Sequence, residues 1–210
     1  MIYVIDIGLS NIGNVTKVLN KNKAEFRVIQ EPNELTPEDG LILPGVGNFG
    51  SAVKVIDHRG LRDYLINAYK NNISYLGICL GMQLLGTYSE EADGEGLGII
   101  KSPVESLKDF GEHVPHIGWN GVNVRKEALL PGFEIKTGDY YFVHSYAFKF
   151  ANDENIVATS VYGDKFISII KSNNFIGMQF HPEKSQSLGI DIIKSFVSYV
   201  EKANYTDRNN

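Results

Sequence analysis

Residues 73–85, "ISYLGICLGMQLL", place Cys79 between Gly77 and Gly81 at the end of an apolar run, and it is the only cysteine among 210 residues. The run from Ile73 to Ile78 reads as a buried strand, and Leu80, Leu84 and Leu85 suit a helix packed on a sheet. A side chain that projects from a sharp strand-to-helix turn needs neighbours with almost no bulk, so Gly-x-Cys-x-Gly reads as a strained nucleophile elbow. Such a turn aims the amino end of the helix at the sulfur, where the helix dipole favours thiolate over thiol. The same residues are compatible with an inert cysteine packed as a small hydrophobe, the commoner fate of an arbitrary cysteine. The paired glycines favour the nucleophile.

Working outward, the first half alternates short apolar runs with amphipathic segments, the pattern of a mostly parallel sheet covered by helices. "IYVID" (2–6), "EFRVI" and "GLILP" are strand-like, and the stretch from Asn11 to Lys21 sets Ile12, Val15, Val18 and Leu19 on one helical face. Further helices are expected near 49–57 and 60–71. From about Gly94 to Lys171 the texture changes to Gly-punctuated runs such as "YYFVHSYAF" and "FISIIKS", which predicts added antiparallel strands. After "FIGMQF" (175–180), a closing helix is expected from about Ser187 to Lys202, with Ile190, Ile193, Phe196, Val197 and Val200 at helical spacing. The expectation is a single α/β domain over residues 1–203 with a polar, frayed tail over 204–210.

With 25 acidic and 20 basic residues the net charge is −5, which gives no electrostatic reason to expect nucleic acid. A small-molecule substrate fits better. No apolar stretch approaches the roughly 20 residues that span a bilayer, and no basic start leads into a cleavable apolar segment. One cysteine permits no internal disulfide. A cytoplasmic setting with a reduced thiol is therefore expected, with neither cofactor nor metal implied.

A thiolate nucleophile wants a histidine to shuttle protons and a further group to orient that imidazole. Of the five histidines, His58 lies in a polar helical stretch, while His113, His116 and His144 are open to core, interface or binding roles. His181 stands at a strand end in "QFHPEKS", where Pro182 ends the ladder. Alternation in an extended segment puts Glu183 on the same side. An ordinary strand-end histidine beside a solvated glutamate fits this short motif too. "LPGVGNFG" (43–50) is a Gly-rich loop after a strand. Its amides suit an oxyanion, although the same loop could cradle a phosphate or simply turn.

Taken in order, "LPGVGNFG", "GICLGMQLL" and "FHPEKS" closely resemble the class I glutamine amidotransferases, the Cys-His-Glu triad glutaminases. That resemblance implies Cys79 as nucleophile, His181 as general base and acid, and Glu183 as the group that orients His181. It implies an oxyanion hole from the amides of Leu80 and of Val46 or Gly47. Gln83 and Glu91, with Ser145 and Tyr146 of "VHSYA", match positions that hold the glutamine substrate. The segments "HVPHIGWN" (113–120) and "YYFVHSYA" (140–147) resemble, more narrowly, the glutaminase subunits of imidazole glycerol phosphate synthase. These pass ammonia to a separate (β/α)8-barrel cyclase, so a partner chain in a heterodimer is implied.

Trp119 and Asn120, with Asn11, Asn14 and Lys184, match positions that face the cyclase. On residues alone Trp119 is as compatible with a core aromatic, although Pro115, Gly118 and Asn120 around it favour a loop. The chain departs from the family at "DIGLSN" (6–11), where Ile7 and Ser10 stand in place of a tyrosine and a glycine. Because that segment lies toward the partner, the departure leaves open a paralogous glutaminase that feeds surface-sugar amidination. Outside the class stand a lone cysteine hydrolase and a catalytically silent partner-binding subunit. The His-Pro-Glu spacing argues against the first, and the presence of all three triad residues against the second.

Overall fold

Side chains in the central strands alternate between two cores. Ile42, Leu76 and Ile78 join one apolar cluster with Val15, Val18, Ile193 and Phe196. Leu41, Leu43 and Tyr75 join the other with Phe49, Ile56 and Leu65. The period of two carries neighbouring residues to opposite faces of one sheet, and helices cover both faces. The structure, a computed structural model, describes residues 1–10, 12–110, 113–125 and 133–206, with side chains as far as Lys202.

β1 (Ile2–Ile5) leads to α1 (Ile12–Lys21), β2 (Phe26–Ile29) and β3 (Gly40–Gly45). α2 (Phe49–His58) and α3 (Leu61–Lys70) then bring the chain to β4 (Ser74–Cys79) and the one-turn α4 (Leu80–Gln83). Short strands β5 (Tyr88–Ser89), β6 (Ala92–Glu95) and β7 (Glu105–Ser106) precede β8 (His116–Val124) and β9 (Gly138–His144). The two-residue β10 (Tyr146–Ala147) is followed by β11 (Ile156–Tyr162), β12 (Asp164–Ser172), β13 (Phe175–Met178) and α5 (Gln186–Thr206).

Among the described residues, nine strands form one sheet in the order β2-β1-β3-β4-β13-β12-β11-β8-β9. The first five are parallel, and from β12 onward neighbours are antiparallel. The parallel sheet with an antiparallel extension, read from the change in sequence texture, is the observed fold. Every residue of β3 and β4 is buried, as expected of strands covered on both faces.

Two local expectations are corrected. The helix after Cys79 stops at Gln83, although Leu84 and Leu85 keep helical spacing. The carbonyls that would continue the helix are taken by a returning loop: Leu97, Ile100 and Gly98 donate to Leu84, Leu85 and Gly86, each at 2.8 Å. At the other end, α5 runs to Thr206 instead of stopping near Lys202, and residues 207–210 of the expected tail lie outside the described residues. Among the described residues, no helix is long and apolar enough to cross a membrane.

Candidate active site

The parallel sheet delivers β3 and β4 side by side, with Gly45 opposite Cys79 in the register, so the glycine loop emerges beside the sulfur. Cys79 has φ 53° and ψ −106°, a left-handed conformation that an ordinary residue adopts only under strain and only where the surroundings enforce it. Both flanking glycines are structurally required. A Cβ on Gly77 would sit 2.5 Å from the Gly81 carbonyl oxygen, and one on Gly81 would collide with the Leu43 carbonyl oxygen. The elbow expected from sequence is present. Its helix has only one turn, so the dipole acting on the sulfur is smaller than a full helix would supply.

β13 lies against β4 and ends just short of Gln179 and His181. The segment after it is not extended, as the alternation argument assumed. Pro182–Lys184 form a 3-10 turn, and this turn swings Glu183 back so that His181 Nδ1 donates to Glu183 Oε1 at 2.8 Å. Both side chains are buried, at 2% and 3% exposed. His181 Nε2 is buried without a hydrogen-bond partner among the described residues, and it is the nitrogen left for the Cys79 side. Burial is the largest single influence on His181 and pushes its pKa down. The Cys79 sulfur and then Glu183 together outweigh it and hold the pKa up at about 10.

Val46, Gly47, Cys79, Leu80, Gln83, Glu91, Ser145 and Tyr146 all line one cavity of about 320 Å³, together with Asn48, Pro115, Val143 and His144. The Leu80 amide opens the helical turn, a position that has no acceptor within the helix. Val46 is different: its N–H donates to the Leu9 carbonyl at 2.7 Å, so in this conformation it does not face an oxyanion. Gly47, with φ 103° and open space where a Cβ would stand, supplies the freedom to turn the neighbouring peptide. Glu91 Oε2 accepts from the Phe49 amide at 2.7 Å, which fixes it at the mouth of α2. Gln83 donates through Nε2 to the Tyr146 carbonyl at 2.9 Å and to Gln179 Oε1 at 3.1 Å.

Two buried side chains of this site were not singled out in the sequence. Gln179 donates to Cys79 Sγ at 3.7 Å. Ser185 Oγ donates to the His181 carbonyl at 2.6 Å and accepts from the Tyr141 amide at 2.9 Å, tying the histidine turn to β9. Both lie beside "FHPE", which was the available signal, but their contacts run to distant parts of the chain.

Trp119 is not a core aromatic. It is 49% exposed and meets the edge of Tyr141 at a centroid distance of 6.1 Å. Lys184 Nζ lies 5.8 Å from the centre of the same Tyr141 ring. Ile117 on the same strand is exposed as well. Asn120 is half-buried and donates to the Val161 carbonyl at 2.8 Å. Asn14 is half-buried on α1, and Asn11 lies outside the described residues. Among the described residues there is no cluster of three or more His, Cys, Asp or Glu side chains suited to a metal ion.

A strained cysteine at the carboxyl end of a parallel strand, facing a buried histidine that is itself held by a carboxylate, has the form of a triad hydrolase. Residues 3–198 match the family "Glutamine amidotransferase class-I", and the chain belongs to that family. It is 40% identical over 209 residues to the imidazole glycerol phosphate synthase subunit HisH of Bacillus licheniformis, covering 96% of this chain and 98% of that one. It is 42% identical over 200 residues to the subunit of the same name from Pyrococcus furiosus, covering 93% and 97%. The fold is shared with a solved glutamine amidotransferase at TM-score 0.73 and 17% identity, covering 95% and 98% of the two chains.

Proposed function

We propose that this chain is the glutaminase of an imidazole glycerol phosphate synthase, hydrolysing glutamine and passing ammonia to a separate (β/α)8-barrel cyclase in histidine biosynthesis. The carrying observation is the buried His181–Glu183 pair at 2.8 Å set against Cys79, which lines the cavity. Near-full-length similarity to subunits of that synthase supports the choice among glutaminases.

With its pKa held up at about 10, His181 already carries the thiol's proton on Nε2 at neutral pH, and the Cys79 sulfur attacks the side-chain carboxamide carbon of glutamine. Negative charge develops on the amide oxygen near the Leu80 N–H. His181 returns the proton to the departing nitrogen, ammonia leaves, and a glutamyl thioester remains on Cys79. Water, deprotonated by His181, then releases glutamate. Throughout, Glu183 keeps Nδ1–H in place and stabilises the imidazolium.

The hydrogen bond from Val46 to the Leu9 carbonyl gives this cycle a resting state. Leu9 belongs to "DIGLSN", the segment whose family counterpart lies toward the partner. Docking there would release the Val46 peptide to turn toward the oxyanion, a gating step of a familiar kind. The exposed Trp119 and Ile117 supply apolar surface for the docked face.

The test is glutamate release by the purified chain, alone and with the same organism's histidine-pathway cyclase, in the presence and absence of the cyclase's ribonucleotide ligand. Strong stimulation by cyclase plus ligand is expected. Full activity of the chain alone at saturating glutamine would refute the gate. Release that no histidine-pathway cyclase stimulates would redirect the search to the sugar-amidination acceptor.

A further inference from the structure

Between the partner-facing strand β8 and the glutamine cavity runs a line of buried polar side chains that the triad does not use. His116 Nδ1 and His144 Nε2 are 3.0 Å apart, and His144 Nδ1 lies 2.9 Å from the Tyr146 carbonyl oxygen. Asn120 Nδ2 approaches His116 Nε2 at 3.3 Å. A carbonyl only accepts, so His144 must carry its proton on Nδ1. Its Nε2 is then an acceptor, which places the His116 proton on Nδ1 as well and leaves His116 Nε2 to accept from Asn120. One acceptor thus determines the tautomer of both rings.

The line continues past Tyr146. Its carbonyl also accepts from Gln83, which uses both oxygen lone pairs, and Gln83 donates to Gln179. Gln179 in turn donates to Cys79 Sγ. Every bond from Asn120 to the sulfur therefore has an assigned direction. His116 is held flat by stacking on Tyr162 and Phe142, with ring centres 4.1 Å and 5.0 Å away. Both imidazoles are buried, and burial is the main cause that lowers His116 to about 4 and His144 to about 3. The rings stay neutral, as the line requires.

We propose that His116 and His144 are positioning residues, a fixed-tautomer relay that sets the Tyr146 carbonyl, and through it Gln83 and the glutamine cavity, from the partner-facing strand at Asn120. The inference rests on the glutaminase reading above. Neither ring is assigned a step in the chemistry; their effect is to hold the wall against which glutamine binds.

The test combines kinetics in the saturated complex with nitrogen-15 histidine spectra of the free chain. His116→Phe keeps the stacking and removes both nitrogens. His144→Phe removes the donor to Tyr146, whereas His144→Asn retains a donor near the Nδ1 position. Each Phe variant loses two hydrogen bonds of the line; if the equivalent of one reaches the glutamine wall, KM for glutamine rises roughly five- to tenfold in both. The relay expects kcat to stay within about twofold of wild type, with KM largely restored in His144→Asn. Wild-type spectra should show neutral Nδ1–H tautomers on both rings at pH 7. Unchanged KM in both Phe variants, or an Nε2–H tautomer on either ring, would overturn the relay while leaving the glutaminase intact. If wild type plus cyclase releases no glutamate, the glutaminase reading fails, and the spectra still decide whether the relay exists.

Discussion

His181 and the His116–His144 pair are the same residue type at similar depth, yet the protein drives them in opposite directions. His181 is held up at about 10 by the Cys79 sulfur and Glu183 despite its burial. Among the described residues the other two have no carboxylate hydrogen-bonded to them, and burial dominates, holding them near 4 and 3. Burial alone makes a histidine a neutral strut; burial beside an acid and a thiol makes it a proton carrier.

Cys79→Ala tests the comparison most severely. It is expected to abolish glutamine hydrolysis while complex formation with the cyclase and ammonia-fed synthesis persist, and it should lower the pKa of His181 without moving His116 or His144. Glutamate release, an ammonia-driven cyclase assay and histidine titration by NMR check the three parts. Substantial residual hydrolysis would remove Cys79 from its role.

Glu183→Gln leaves the shape of the site but offers His181 a neutral partner that no longer fixes the tautomer or supports the imidazolium. A loss of roughly 10²- to 10⁴-fold in kcat is expected, with KM for glutamine much less affected. A kcat within a few-fold of wild type would show that Glu183 does not orient the base.

Stability against pH separates the two kinds of histidine. For His116 and His144 the folded pKa lies below the unfolded value near 6.5, so the unfolded chain binds more protons between about 4 and 6.5. Their contribution is complete above 6.5 and is lost on acidification, with a slope of roughly 1.4 kcal/mol per pH unit for each ring. For His181 the folded pKa lies above 6.5, so its contribution is present below 6.5 and lost as pH rises toward 10. Urea unfolding at pH 7 and pH 4.5 should show the acid loss shrink in His116→Phe. An unchanged acid limb would mean that other groups carry it.

The smallest effect concerns the surface. Trp119→Ala is expected to weaken cyclase binding by about 1–3 kcal/mol, in the range of an exposed aromatic anchor, with little effect on the folding of the isolated chain. A titration of the two subunits measures it, and unaltered affinity would take Trp119 out of the interface.

The legible and illegible parts of the site divide along sequence distance. The elbow could be read because Gly77 and Gly81 stand only two residues from Cys79 and crowd each other, although the carbonyl that forbids a side chain on Gly81 belongs to the distant Leu43. His181 and Glu183 could be paired by spacing, although a 3-10 turn and not an extended strand brings them together. The helix after Cys79 was read too long because its carbonyls are claimed by residues 97–100, which local periodicity does not register. Gln179, Ser185 and the His116–His144 contact were invisible for the same reason: each is defined by a partner 28 to 100 residues away.

The place of β13 in the sheet also sets a timetable for synthesis. The strand that carries His181 toward Cys79 slots between β4 and β12, about a hundred residues after the cysteine has been made. On the roles proposed for Cys79 and His181, a nascent chain therefore emerges from the ribosome with a thiol that has no base beside it, and becomes a competent ammonia source only when one of its last strands is inserted. Until then, an unfinished copy is chemically quiet toward the cell's glutamine.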